Sequence, residues 1–196
     1  MKQKTERFLG KYDVFTFFLI PGSTLLLAST GSWTGTNLSA ECSLSGSRLA
    51  FAVWGAFLGG YFGLYAGHLF RLGRYRRAWG RGLVRLAVCF LLLAVAIPYV
   101  PDSHPVGAAF HVLFAFFSPI LFAAGLACFL HFVSQRDRPR FKRAWFLFWL
   151  VLGTTLLMLF QAGFITTFLE VFLVFSIGAY MRYVEGLLIG RTVKKA

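Results

Sequence analysis

The sequence is short of polar and acidic residues. Only 7 of its 196 residues are Asp or Glu and 14% are charged, whereas 58% are hydrophobic. Soluble globular domains carry about 25% charged residues, so this composition excludes an ordinary water-soluble globule. Outside the apolar runs no stretch exceeds about 20 residues, which leaves no room for a soluble catalytic or nucleic-acid-binding domain. The chain is therefore predicted to be an integral membrane protein.

Cysteine and metal-binding patterns are also scarce. Cys42, Cys89 and Cys128 make no disulfide framework, and all three are predicted to be free thiols. The four histidines and seven acidic residues form no HExxH, HxxxH or CxxC pattern. We therefore expect no metal site and no cofactor.

Long apolar runs are what the sequence has in abundance. They predict an all-α polytopic membrane protein, a single domain over 1–196 with six transmembrane helices at about 12–29, 49–70, 83–100, 106–133, 144–162 and 164–183. Pro21-Gly22 predicts a kink or local unwinding in the first helix. The fourth run exceeds the roughly 20 residues that a crossing needs, so it must tilt or break at Pro119. The tail, Val184 to Ala196, is predicted to leave as a short basic surface helix.

The basic residues crowd onto one predicted side of the membrane. The net charge is +13, and all but one of the 20 Lys and Arg residues lie at the termini or in the second and fourth connections. Only Arg48 falls on the opposite side. The others are Lys2, Lys4, Arg7, Lys11, Arg71, Arg74, Arg76, Arg77, Arg81, Arg85, Arg136, Arg138, Arg140, Lys142, Arg143, Arg182, Arg191, Lys194 and Lys195. By the positive-inside rule both termini are cytoplasmic, which favours a bacterial inner-membrane protein over a nucleic-acid-binding one.

A stripe of glycines runs along the second predicted span. Gly55, Gly59, Gly63 and Gly67 recur at every fourth position, so one helix face is almost bare backbone. Small residues let neighbouring helices approach closely in a membrane. The stripe is therefore predicted to be the face on which the bundle packs.

Two ionisable residues within predicted spans lie at similar depths. Glu170 follows the outer turn at Gly163 by seven residues, which at 1.5 Å per residue places it roughly 10 Å below the outer surface. His111 follows Pro105 by six residues, about 9 Å deep by the same arithmetic. Ionisable groups are costly inside a membrane and often mark function. The matched depths predict that these two residues share a polar pocket in the outer leaflet.

Other polar residues are predicted to complete this pocket. Gln161 lies at the outer end of the fifth span, and Asp102, His104 and the loop 30–47 are expected to form a roof. The alternative is structural: Glu170 and His111 could simply hydrogen-bond to neighbouring helices and hold the bundle together.

A second set of ionisable residues lies near the cytoplasmic boundary. Arg182 and Glu185 are three residues apart, the spacing of an ordinary helical ion pair, and His68 and His131 lie at a similar level. The segment from Arg71 to Arg85 could bind anionic lipid headgroups or serve only as an orientation signal.

Two short motifs carry a resemblance to a known family. Ser43-Leu44-Ser45-Gly46 leads into the second span, and Phe110-His111-Val112-Leu113-Phe114-Ala115-Phe116-Phe117 lies in the fourth. Together they resemble Frag/DRAM/Sfk-type six-span membrane proteins and their bacterial relatives, which implies membrane-lipid handling or a regulatory role without established catalytic residues. In size and topology the chain is also similar to the substrate-binding subunits of energy-coupling-factor vitamin transporters.

Taken together, these features predict a membrane protein that binds a lipid-like amphiphile or small solute through His111, Gln161, Glu170, Asp102 and His104. Transport and membrane-lipid organisation are both open as roles. The expected partners are membrane lipids, a small-molecule ligand, and other membrane subunits or further copies of the chain. The alternatives are a non-catalytic subunit of a larger membrane complex and a lipid-modifying enzyme.

Overall fold

The computed structural model of the chain describes residues 10–29, 31–44 and 46–193. These residues form seven α-helices and no β-strand, which confirms the all-α class. The helices are α1 (Ile20–Ala28), α2 (Leu38–Leu44), α3 (Arg48–Leu72), α4 (Ala78–Ala96), α5 (Pro105–Ser134), α6 (Arg138–Ala162) and α7 (Thr167–Val193), with a π-helical segment, Phe15–Leu19, before α1. Seven residues named above lie outside the described residues, namely Lys2, Lys4, Arg7, Ser45, Lys194, Lys195 and Ala196.

Five of these helices, α3 to α7, are long and apolar enough to cross a membrane. This length and composition indicate an integral membrane protein. The first apolar segment, Phe15–Ala28, is shorter than the other five. At 1.5 Å per residue it covers about 20 Å, less than the roughly 30 Å of a typical hydrocarbon core.

Several helix ends differ from the predicted ones for local reasons. Helix α4 ends at Ala96 because Ile97 is extended, as expected for a residue directly before a proline. Helix α6 begins earlier than predicted, since the Asp137 side chain caps it by accepting a hydrogen bond from the backbone N–H of Arg140. Gly163 ends α6 in the left-handed conformation that glycine adopts most readily.

The carboxyl-terminal tail does not form the separate surface helix predicted from sequence. Helix α7 runs without interruption from Thr167 to Val193. Val184 and Leu188, inside the predicted tail, are buried in the core. The apolar face of the last span therefore continues past its predicted end, and the basic residues there do not end the packing.

The prolines within the apolar runs have different effects. Helix α5 continues through Pro119 and spans 30 residues, so of the two predicted alternatives, a tilt or a break, the break is absent. Before Pro21 the chain is π-helical, and the N–H of Ile20 donates to the carbonyl of Phe15. The π-helical segment is wider than an α-helix, and it lies next to Pro21-Gly22, where the sequence predicts a kink or local unwinding.

Helix α3 lies at the centre of the bundle, packed against α1, α2, α4 and α7. Helix α5 packs on α4 and α6, and α6 packs on α7. Gly55, Gly59 and Gly63 of the glycine stripe face valine and leucine side chains of α4. Gly67 faces open space.

The closest backbone approach between neighbouring helices that involves glycine is between α4 and α5. A methyl group at Gly125 would lie 3.1 Å from the backbone oxygen of Gly80 and 2.7 Å from Val84 Cγ2. Helices α4 and α5 also share the most extensive interface of the bundle. The glycine that lets two helix backbones approach, Gly125, therefore lies outside the glycine stripe of α3.

The two ends of the bundle differ in charge. We call the end that carries α2 the α2 end, and the end that carries the connections 73–77 and 135–137 the basic end. Arg48, the one basic residue predicted away from the others, lies at the α2 end. There its Nη2 donates to the carbonyl oxygen of Ala96, 2.9 Å away, at the carboxyl terminus of α4. A cation is favourable at this position because the last carbonyls of a helix lack partners within it.

Candidate functional site: a cavity beneath helix α2

A cavity of about 140 Å³ lies where α3, α4, α5 and α7 meet, beneath α2. Its walls are mostly apolar, with aromatic side chains such as Phe51, Phe62 and Phe122. The polar residues that line it, apart from a tryptophan on α3, are Ser39, His111, Ser118 and Glu170. His111 and Glu170 therefore share one cavity, as the matched depths predict.

His111 on α5 has both ring nitrogens in contact with protein atoms. Nδ1 lies 2.7 Å from the carbonyl oxygen of Ala94 and 2.9 Å from that of Ile97, so this nitrogen carries a proton and donates. Nε2 lies 3.0 Å from the Ser39 hydroxyl oxygen on α2. The residue is only 4% exposed. His111 thus joins the end of α4 to α2 and has no free nitrogen for a ligand.

Glu170 in the first turn of α7 is different, because one of its oxygens is free. Oε2 accepts a hydrogen bond of 2.8 Å from the backbone N–H of Leu38, the first residue of α2. Within the described part of the chain Oε1 has no hydrogen-bond or ion-pair partner. A carboxylate oxygen that lines an apolar cavity without a partner is an acceptor available to a bound molecule.

Helix α2 covers the cavity, and the loop that precedes it is fixed to α7 by backbone contacts. The N–H of Thr167 donates to the carbonyl of Thr36, and the N–H of Phe168 donates to that of Trp33, at 2.8 and 3.0 Å. Cys42 on α2 is 1% exposed. Its burial, together with the carboxylate of Glu170, raises the pKa of the Cys42 thiol. The loop predicted as a roof is therefore a packed cover rather than an open connection.

A second cavity, of about 120 Å³, lies between α5, α6 and α7 and is lined almost entirely by apolar side chains. It adjoins the first cavity, because four residues line both: Pro119, Phe122, Leu173 and Ile177. Tyr180 also lines it, and its buried hydroxyl has no hydrogen-bond partner among the described residues. Buried hydroxyls are normally paired, so this group is a second free polar position along the cavities.

Three of the predicted pocket residues do not reach these cavities. Gln161 is exposed at the end of α6, and Asp102 and His104 are exposed in the connection before α5. None of them lines either cavity. Depth along a helix places a residue at the right level, but it does not say which way the helix face points.

At the basic end, the structure gathers a buried ionic cluster that spacing alone does not reveal. Glu185 is 2% exposed and accepts a hydrogen bond of 2.8 Å from the Tyr65 hydroxyl. Its other oxygen lies 3.0 Å from His68 Nε2. Arg182 lies 3.8 Å from Glu185 and forms a closer pair with Asp13. The predicted ordinary surface pair is thus part of a network that joins the first helical segment, α3 and α7.

These features define a helical membrane protein with a covered cavity that is apolar along its walls and polar at its α2 end. In the described part of the chain, no three His, Cys, Asp or Glu residues are grouped so that they could hold a metal ion. No protein-family model, curated protein or solved structure matches the chain. The resemblance to Frag/DRAM/Sfk-type proteins therefore stays an expectation from two short motifs.

Proposed function

We propose that the chain crosses the bacterial inner membrane six times, with both termini in the cytoplasm and α2 on the outer side. The proposal is supported by the basic residues of the two connections at the basic end, since such residues favour the cytoplasmic side. Phe15–Ala28 would then make the sixth crossing, with the membrane thinned locally around it or with flanking residues reaching the interface.

The proposed function is to bind a single-chain amphiphile whose headgroup donates a hydrogen bond. The observation that carries it is the free Oε1 of Glu170 at the polar end of the cavity. The other polar side chains there already have protein partners: Ser39 and His111 contact each other, and Ser118 donates to the carbonyl of Ala87. An amine or hydroxyl headgroup would therefore meet one available acceptor.

The hydrocarbon tail would lie in the two adjoining cavities. A dry cavity of about 150 Å³ accepts a molecule of benzene size, so each cavity here has room for part of a chain. Helices α5 and α7 pack little against each other along this length. A tail could therefore pass between these two helices from one cavity into the other. Such a site serves either transport of the amphiphile or organisation of membrane lipids.

Photocrosslinking in lipid nanodiscs tests this proposal. The probe is a long-chain amine with a photoreactive group near the end of its tail, compared with a fatty acid of the same length and photoreactive group. We expect the amine to label α5 and α7 peptides several times more strongly than the acid. The Glu170→Gln variant should lose this preference, whereas the exposed Asp102→Asn variant should keep it. Equal labelling by amine and acid in the unmodified protein would contradict the proposal.

A bulky substitution that fills the cavity provides an independent test of the same proposal. Ala115 lines the cavity and Ala109, on the same helix, is exposed. Ala115→Phe should abolish labelling, whereas the matched Ala109→Phe should not. Undiminished labelling in a folded Ala115→Phe protein would place the probe elsewhere. Chemical conversion of the probe that depends on Glu170 would instead favour a lipid-modifying enzyme.

A role as a non-catalytic subunit of a larger membrane complex is the second candidate. Helix α6 favours it, because among the described residues its main contacts are with α5 and α7, and it has a broad exposed apolar face. Phe146, Trp149, Leu150, Leu157 and Phe160 are all exposed on it. Native mass spectrometry after gentle solubilisation would detect a partner chain there. A solely monomeric protein would count against this candidate.

A further inference from the structure

A groove separate from both cavities lies at the other end of the molecule from α2. It is a groove of about 260 Å³ between α3 and α4 at the basic end. Two glycines of α3, Gly63 and Gly67, form part of its floor, and three arginines surround it: Arg71, Arg81 and Arg85. Apolar side chains, Phe70 and Val84, line the groove together with the arginines.

The three arginines have no acidic partner among the described residues. Among the described residues the ion pairs involve only His68, Arg182, Asp13 and Glu185, none of which lines the groove. Arg81 is oriented by a hydrogen bond of 2.6 Å from its Nη2 to the carbonyl oxygen of Tyr75. Three cations that converge on one groove without a counter-charge repel one another, so an anion bound there would be favourable.

The turn between α3 and α4, which sets the positions of these arginines, is packed into the core. Tyr75 is 1% exposed and packs among aromatic side chains that include Phe70 and Phe129. Its N–H donates to the carbonyl of Phe70 at 2.8 Å. Arg81 is therefore held from a fixed position in the fold, whereas arginines in a mobile connection would have no defined relation to one another.

The position of two arginines on α4 supports the same conclusion. Arg81 and Arg85 occupy the first two turns of α4, whose first turn has no acidic residue and whose amino terminus has no side-chain cap. The amino-terminal end of a helix carries a partial positive charge and disfavours cations. A negative group in the groove would offset this repulsion.

The glycines make the groove deep enough for a hydrocarbon chain. A methyl group at Gly67 would meet no atom within 4 Å, so the space beside this residue is unfilled. At Gly63 only Val88 comes close. Because α3 and α4 are membrane-spanning by length and composition, this part of the groove faces lipid rather than water. A phosphate that is attached to an acyl chain fits both the arginines and the open space beside Gly67. A free phosphate would use only the arginines.

We infer that Arg71, Arg81 and Arg85, with the groove beside Gly67, form a binding site for one anionic phospholipid of the leaflet at the basic end. The arginines hold the phosphate, and the start of an acyl chain lies in the groove. Anionic lipids are abundant on the cytoplasmic side of membranes, and basic residues near the surface attract them. This site is separate from the cavity beneath α2 and does not depend on the amphiphile proposed there.

Native mass spectrometry of the full chain, released from nanodiscs of phosphatidylcholine with a minor fraction of phosphatidylglycerol, tests this site. We expect one phosphatidylglycerol to be retained in preference to phosphatidylcholine. The double variant Arg81→Gln/Arg85→Gln should lower its occupancy by roughly fivefold per arginine. The charge-matched control Arg76→Gln/Arg143→Gln removes two exposed arginines at the same end and should leave retention unchanged. An equal loss in both double variants would overturn the site, since it would mean diffuse attraction to the whole basic end.

A glycine pair tests the groove without altering any charge. Gly67→Leu should block the groove and reduce retention, whereas Gly60→Leu, at an exposed position with equally open space, should not. This pair remains decisive if the arginine variants fail to fold. Unchanged retention in Gly67→Leu would overturn the lipid assignment. Displacement of the bound lipid by inorganic phosphate at concentrations near those of the lipid would also overturn it, in favour of a free-phosphate site.

Discussion

Arg182 on α7 and Asp13 at the start of the first helical segment form an ion pair, with Nε 2.5 Å from Oδ1. The second carboxylate oxygen accepts from Arg182 Nη2 at 3.2 Å and from the backbone N–H of Gly10 at 2.6 Å. Asp13 is 3% exposed. The pair connects the beginning of the first helical segment, just before Phe15–Ala28, to α7. An ionic interaction as well as apolar packing therefore stabilises the basic end of the bundle.

The Asp13→Asn variant should lower stability because it leaves part of the Arg182 charge unpaired. Breaking a buried pair costs about 3–5 kcal/mol, and partial exposure of Arg182 reduces this to roughly 1–3 kcal/mol. Thermal unfolding in mild detergent, followed by tryptophan fluorescence, measures the effect. Asp102→Asn removes an exposed carboxylate and is the control. A melting temperature equal to that of the unmodified protein would show that the pair contributes nothing.

The double variant Asp13→Asn/Arg182→Gln distinguishes pairing from other effects. Since the two residues contact each other, the double loss should be smaller than the sum of the single losses. Additive losses would mean that each side chain stabilises the fold independently.

The class of the fold could be predicted from sequence because a membrane leaves few choices. Backbone groups in hydrocarbon must be paired within a segment, so a long apolar run such as 106–133 predicts a helix almost by itself. The shared cavity of His111 and Glu170 could be predicted for a related reason. Helical rise is fixed, and both residues lie a countable distance from turns at the same end of the bundle.

Side-chain partners across the bundle could not be predicted in this way. Arg182 and Asp13 are 169 positions apart, and Tyr65 and Glu185 are 120 apart. The three-residue spacing of Arg182 and Glu185 predicts only a local pair. It gives no sign of the distant partners, Asp13 and Tyr65. The close approach of Gly125 to the backbone of α4 cannot be predicted either, because an isolated glycine forms no pattern.

Substitution of glycine should have very different effects at two positions. Gly125→Ala forces α4 and α5 apart and should cost about 1–3 kcal/mol, the usual range for overpacking. Gly67→Ala meets open space and should be neutral or slightly stabilising, because alanine favours a helix more than glycine does. Thermal unfolding of both variants in the same detergent makes the comparison. Equal melting temperatures would contradict the close approach of α4 and α5.

The thiol of Cys42 should report whether α2 covers the cavity. Burial raises its pKa, so less of the reactive thiolate is present near neutral pH, and α2 shields it as well. In a Cys89→Ala/Cys128→Ala background, a maleimide reagent should label Cys42 slowly. Glu170→Gln weakens the contact with Leu38 and should increase the labelling rate by several fold. Fast labelling without this change would mean that α2 does not form a stable cover.

The free hydroxyl of Tyr180 leads to a prediction that depends on the ligand. Without a bound amphiphile, Tyr180→Phe should be neutral or slightly stabilising, since it removes a buried polar group that has no partner. With the long-chain amine probe present, the unmodified protein and the variant should gain similar stability, because the proposed headgroup site is Glu170 and not Tyr180. Thermal shifts with and without the probe measure both effects. A gain lost in Tyr180→Phe would place the headgroup at Tyr180 instead.

The number of spans can be tested by labelling single cysteines in a protein whose own three cysteines are replaced by alanine. If the chain crosses six times, Cys at Ser103 should react with a membrane-impermeant maleimide in intact cells. Cys at Lys2 and at Ala196 should react only after the membrane is opened.

The outcome at Lys2 decides whether the short first segment crosses the membrane. If Phe15–Ala28 does not cross, Lys2 lies on the side of Ser103 and reacts in intact cells. The ion pair between Asp13 and Arg182 makes that outcome unfavourable, because it holds the start of the first segment at the basic end.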